Sequence, residues 1–120
     1  KRVFLFGKIT EEEKKLLLNL ADLFVIPNIK VKGDPEGFGI VALEAASVGL
    51  PVVGTNIEGL IDAIKHQETG LLVNQDKQEY LEAIKKLFLK PLSKDKIIKK
   101  AEEFGWGEVA SNIIHELNDE

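Results

Sequence analysis

The chain has no cysteine, two histidines, one tryptophan and one arginine among 120 residues. The missing cysteine excludes disulfides and thiolate metal sites, and His66 and His115 lie too far apart in sequence to suggest an imidazole cluster. No metal is expected. Apolar runs stop at about five residues, well below the roughly 20 that span a bilayer, and Lys1-Arg2 leads directly into a strand-like run rather than a signal peptide. These features suit a cytoplasmic or membrane-peripheral protein. A basic block is also lacking: 16 basic residues face 20 acidic ones, for a net charge of -4. That balance gives no electrostatic footprint for nucleic acid or an anionic membrane, so no nucleic-acid partner is expected. The length fits one domain with a real core but is short for an enzyme that must enclose two substrates, and the chain is expected to be part of one.

What is present is an alternation. The runs VFLF (3–6), LFVI (23–26), PVV (51–53) and GLLV (70–73) are dense and apolar rather than alternating, as strands buried on both faces are. Helical patterns separate them. One covers residues 11–20 and opens on a capping box, Thr10 with Glu13. A second covers about 39–47 and is closed by Gly49 and Pro51, and a third covers about 58–65. The order βαβαβαβ predicts an α/β fold, a Rossmann-like parallel sheet flanked by helices with right-handed crossovers. Beyond Val73 the pattern is purely helical, with KQEYLEAIKKLFLK, SKDKIIKKAEEFG and WGEVASNIIHEL as C-terminal helices. No internal repeat, low-complexity tract or linker interrupts it. Residues 1–120 read as a single α/β domain.

In such a fold, chemistry sits beyond the carboxyl ends of the strands, where LFVIP is followed by NIKVKGDPEGFG. Gly37 and Gly39 flank Phe38 at the expected helix start, so unpaired backbone N–H groups and the positive end of the helix dipole face the crevice. Glu44 stands among IVAL and AA, where a charge is costly unless paired. Glu36 and Glu44 are eight positions apart, which on a helix means a rise of about 12 Å and a rotation of about 80°. The acid and nucleophile of a glycosidase lie about 5–9.5 Å apart across one bond, so the pair does not suit that chemistry. It suits contacts to different parts of one long ligand rich in hydroxyls.

The segment PEGFGIVALEAASVGLPVVGT resembles the E-x7-E signature of retaining GT-B glycosyltransferases, in particular the family 4 group. The flanks extend the resemblance: VFLFGKITEEEKKLLLNLADLFVIPN is similar to that family's strand–helix–strand lead-in, and TGLLV to its T-G-x-L-V. The likeness covers about residues 3–89 and implies the donor-binding part of a GT-B C-terminal domain. It implies that Glu36 contacts hydroxyls of the donor sugar as the catalytic carboxylate, that Gly37, Phe38 and Gly39 lend N–H groups, that Ile40 lies near the diphosphate, and that Glu44 grips the ribose. The implied function is transfer of a sugar from a nucleotide diphosphate sugar to an acceptor with retention of configuration, with no cofactor and no metal. The alternatives are a non-catalytic nucleotide-binding or assembly module with the same fold, and a GT-B-like nucleotide-sugar epimerase.

The chain departs from the family pattern in places. Asn28 stands where the family commonly has serine, the following loop is somewhat long, and the family's T-x-x-G-G-x-x-E runs here from Thr55 through Glu58-Gly59 to Asp62. The N-terminal acceptor domain and the Arg/Lys pair that neutralises the leaving diphosphate are expected outside this chain. Lys8 follows the wrong strand to replace that pair. His66 reads as a solvated turn residue, His115 as a surface or flank residue, and Trp106 as an anchor for the last helices. The isolated chain, lacking the parent's other strands, is expected to self-associate and to be inert.

Overall fold

The structure, a computed structural model, describes residues 3–27, 36–57 and 60–103; for Glu36, Gly37, Phe38 and Glu103 it describes the backbone alone. The elements in chain order are α1 (Glu11–Leu20), β1 (Phe24–Ile26), α2 (Glu36–Ser47), β2 (Val52–Thr55), β3 (Gly70–Val73), α3 (Lys77–Leu89) and α4 (Lys94–Glu103). The three strands form one sheet in the order β1-β2-β3. Both pairings are parallel, with Phe24 opposite Val52 and Val52 opposite Gly70. The expected α/β, parallel, Rossmann-like architecture is the one observed.

Local chemistry accounts for the helix ends. The Thr10 hydroxyl accepts from the Glu13 N–H at 3.1 Å, and the Glu13 carboxylate accepts from the Thr10 N–H at 2.8 Å, completing the capping box. Helix α2 ends where Gly49 takes a φ of +82° and its N–H donates to the Ala46 carbonyl at 3.0 Å. A side chain there is excluded twice, by that φ and by the Lys94 carbonyl, which lies 3.0 Å from where a Cβ would stand. Asp76 caps α3 by accepting from the Gln78 N–H.

All four residues of β2 are buried because both faces of the sheet are covered. On one face Ile26 and Val52 pack with Ala42, Leu43 and Ala45 of α2 and with Leu18, Leu60 and Ile64. On the other, Val53 and Leu71 pack with Ala83 and Leu87 of α3. A third cluster sets Ile97 and Ala101 of α4 on Ala46, so α2 lies between the sheet and α4.

Three expectations are corrected. Residues 3–6 form no strand, and Val3, Phe4, Leu5 and Phe6 are exposed; among the described residues nothing offers them a ladder, and apolarity alone does not make a strand. The helix expected over 58–65 is, across its described residues 60–65, only a turn. Leu60, Ala63 and Ile64 are buried at helical spacing, but the Lys65 N–H donates to the Thr69 hydroxyl at 2.9 Å instead of continuing a ladder. So short a segment cannot offset the entropy of helix nucleation. Helix α2 begins at Glu36 rather than near Gly39: both glycines lie within it, and Gly39 is buried. The segments containing His115 and Trp106, and positions Asn28, Glu58 and Gly59, lie outside the described residues.

Candidate functional site

Because the strands are parallel, their carboxyl ends, at Ile26, Thr55 and Val73, share one edge of the sheet. The chain leaving β1 returns as α2, so the amino end of α2 lies at that edge with Glu36 as its first helical residue. The first turn of a helix has N–H groups without an intrahelical carbonyl, and here those residues are Glu36, Gly37, Phe38 and Gly39. They carry the positive end of the macrodipole, suited to an anion or to sugar oxygens. Ile40, in the next turn, is half-buried. Glu44 is on the same uninterrupted helix, so the two glutamates keep their offset of about 12 Å along its axis.

Glu44 is held from a second element. Its Oε1 lies 3.2 Å from the Nζ of Lys14 on α1, and Lys14 also meets the Glu11 carboxylate. The Glu44 side chain is 22% exposed, so it remains reachable while being oriented. Desolvation pulls the Lys14 pKa down, but the hydrogen bonds and charges of Glu11 and Glu44 together outweigh it and hold the ammonium above its ordinary range. Sequence reading missed Lys14, which is 30 positions from Glu44 and joined to it only by packing.

At the strand edge stands Tyr80, on α3. Its hydroxyl donates to the Ile26 carbonyl at 3.0 Å and shares a hydrogen bond with the Thr55 hydroxyl. Burial raises its pKa, with the Thr55 bond acting in the opposite direction. The next residue, Asn56, is tied to β3 by its N–H, which donates to the Val73 carbonyl at 2.7 Å. Asp62 and Lys8 are exposed. His66 is exposed as expected, yet its Nδ1 accepts from the Leu72 N–H at 2.9 Å, which makes it a tether for β3. Among the described residues no group of three metal-ligating side chains comes together, and no helix is long and apolar enough to cross a membrane.

A parallel sheet flanked by helices, with a helix start at its carboxyl edge, places the chain among the Rossmann-like α/β proteins. More particularly, the chain belongs to the glycosyl transferases group 1 family, which matches residues 1–104. It is similar to the amylovoran biosynthesis glycosyltransferase AmsK of Erwinia amylovora, with 37% identity over 83 residues, covering 68% of this chain and 20% of that protein. It is 33% identical over 108 residues to a D-inositol 3-phosphate glycosyltransferase of Pseudarthrobacter chlorophenolicus, covering 86% of this chain and 24% of the relative. A GDP-mannose-dependent alpha-(1-6)-phosphatidylinositol monomannoside mannosyltransferase of Mycobacterium tuberculosis is 38% identical over 71 residues, covering 57% and 18% respectively. The chain thus spans roughly a fifth of the length of these curated relatives.

Proposed function

We propose that the whole protein is a retaining GT-B glycosyltransferase of the family 4 kind, which moves a sugar from a nucleotide diphosphate sugar to an acceptor without a metal, and that residues 1–120 are part of its donor-binding domain. Glu36 contacts the hydroxyls of the donor sugar at the reacting end. The N–H groups of Gly37, Phe38 and Gly39 take sugar and phosphate oxygens, with Ile40 beside the diphosphate. Glu44 takes the ribose hydroxyls. The rest of the parent supplies the acceptor site and the cations that balance the departing diphosphate. The observation that carries this reading is one continuous helix, starting at the carboxyl edge of the sheet, that sets the backbone positions of Glu36 and Glu44 about 12 Å apart along its axis. The family, and the GDP-mannose named for one relative, support it.

The test uses the full-length parent and calorimetry with a panel of nucleoside diphosphates and their sugar conjugates. Glu44→Gln is expected to weaken both kinds of ligand, since both contain ribose. Glu36→Gln is expected to leave the bare diphosphate nearly unaffected while weakening the conjugate and lowering turnover. A hydrogen bond to a charged group is worth about 1.5–3 kcal/mol, so each affected constant moves by roughly tenfold to a hundredfold. Activity persisting in a chelator, and a product with the donor's anomeric configuration, test the other two elements. The Lys14–Glu44 ion pair favours a second reading, an assembly module in which Glu44 is structural. Unchanged affinities in both variants would select it.

A further inference from the structure

Glu44 lies on the open stripe of α2: Ile40 and Val41 are half-buried as it is, while Ala42, Leu43, Ala45 and Ala46 are buried against the sheet and α4. From α1, the Lys14 Nζ donates to Glu44 Oε1 at 3.2 Å. Lys14 is held in turn by the Glu11 carboxylate, 3.1 Å away on its own helix. The ammonium thus ties one oxygen of Glu44 to a second element, and Oε2 accepts no bond among the described residues. A carboxylate has about four lone-pair sites, so with one taken Glu44 can still accept from both hydroxyls of a vicinal diol. A free glutamate gives up its side-chain rotations at the moment of binding, and one already tied has less to give up.

We propose that Lys14 is a positioning residue that sets the preference for ribose over deoxyribose: by holding Oε1 it presents the remaining acceptor sites of Glu44 in one orientation to the 2′,3′-diol of the donor nucleotide. This rests on the reading that Glu44 takes the ribose. Glu44 is 22% exposed and Lys14 26%, so a ligand can reach the carboxylate while the pair stays formed. A purely structural ion pair is indifferent to which hydroxyls the ligand carries, and a positioning one is not.

The test titrates the full-length parent by calorimetry with a panel of ribonucleoside diphosphates and, for the tightest of them, its 2′-deoxy and 3′-deoxy counterparts. The wild type is expected to prefer the ribose form by roughly tenfold to a hundredfold, the range of a hydrogen bond to a charged group, and Glu44→Gln to lose most of that preference. Lys14→Met is expected to narrow it by about threefold, the ribose ligand weakening while the deoxy ligands hold. Undiminished binding of the deoxy ligands shows in the same titration that the variant is folded. With the nucleotide-sugar, the Lys14→Met loss should fall on KM, with kcat within about twofold. An unchanged preference in Lys14→Met would overturn the positioning role. So would an equal fall for ribose and deoxyribose ligands, the result of a fold defect or of a lysine-to-phosphate contact. If Glu44→Gln keeps the preference, the ribose reading of Glu44 fails and this inference fails with it; if Glu44→Gln loses it and Lys14→Met does not, only the role of the lysine is refuted.

Discussion

Helices α1 and α2 are adjacent in the chain and almost equal in length, yet they are helical for opposite reasons. The first has strong local signals: a complete capping box, three glutamates in its first turn, and good helix formers at every position but Asn19. It buries one residue, Leu18, and leaves Leu16 and Leu20 exposed. The second contains two glycines yet buries Ala42, Leu43, Ala45 and Ala46 between the sheet and α4. Tertiary packing overrides its propensity. The well-buried helix carries the candidate site, and the lightly anchored one meets it at the Lys14–Glu44 pair. The apolar side chains left open at residues 3–6, 16 and 20 have the character of an interface.

Breaking α2 should therefore hurt most. Leu43→Ala removes a side chain that is 2% exposed, and it is expected to destabilise by about 2–5 kcal/mol in urea unfolding. Leu20→Ala on α1 should change stability by less than about 0.5 kcal/mol. Equal losses would mean that α1 is packed in solution in a way the fold does not show. The open apolar surface gives the next effect. The isolated 120 residues are expected to self-associate across the micromolar range in sedimentation, because the outer edge of β1 has no ladder partner among the described residues and residues 3–6 are bare. Replacing Phe4 and Leu5 by lysine should shift the population toward monomer. A monodisperse wild-type chain would remove the interface reading.

The strand end supplies a smaller, pH-dependent effect. Tyr80 has a folded pKa raised above the ordinary 10.0, so the folded state holds the phenol proton more tightly than the unfolded state does. Its contribution is complete below about pH 10 and is lost as pH rises through the folded value. Stability against urea should fall more steeply above pH 10 in the wild type than in Tyr80→Phe, with matching slopes between pH 6 and 9.

How much of this could be read in advance depended on the range of the interaction. The capping box at Thr10 and Glu13, the close of α2 at Gly49, and the apolar runs that became the three observed strands each rest on neighbouring residues, and the sequence displays them. The fate of residues 3–6 does not: a strand exists only if another strand stands beside it, and the run VFLF is equally apolar with or without one. The same limit hid the partners of the site. Glu44 announced a need for a counter-charge by its apolar neighbours, but any of fifteen lysines could have met it. Tyr80 was not singled out in the sequence at all, because the strand register that brings Ile26 and Thr55 to its hydroxyl is not a local property.

The Lys14–Glu44 pair is a contact between the two helices, and its removal is expected to cost far less than a loss in the core of α2. Lys14 and Glu44 are each roughly a quarter exposed, so solvent screens the pair, and Lys14→Met should cost no more than about 0.5–1 kcal/mol. The Lys14 pKa is raised above its ordinary 10.5, so the contribution should be constant from pH 6 to 9 and lost only as pH climbs past the folded value. It should also shrink in 1 M salt, where the screening length is about 3 Å. For the full-length parent, the substitution frees Glu44 to rotate without deleting its carboxylate. Nucleoside diphosphate affinity should then fall by about threefold or less, well short of the loss on Glu44→Gln. A tenfold loss on Lys14→Met would place the lysine itself against the ligand, and α1 would then have to be counted as part of the site rather than as a brace beside it.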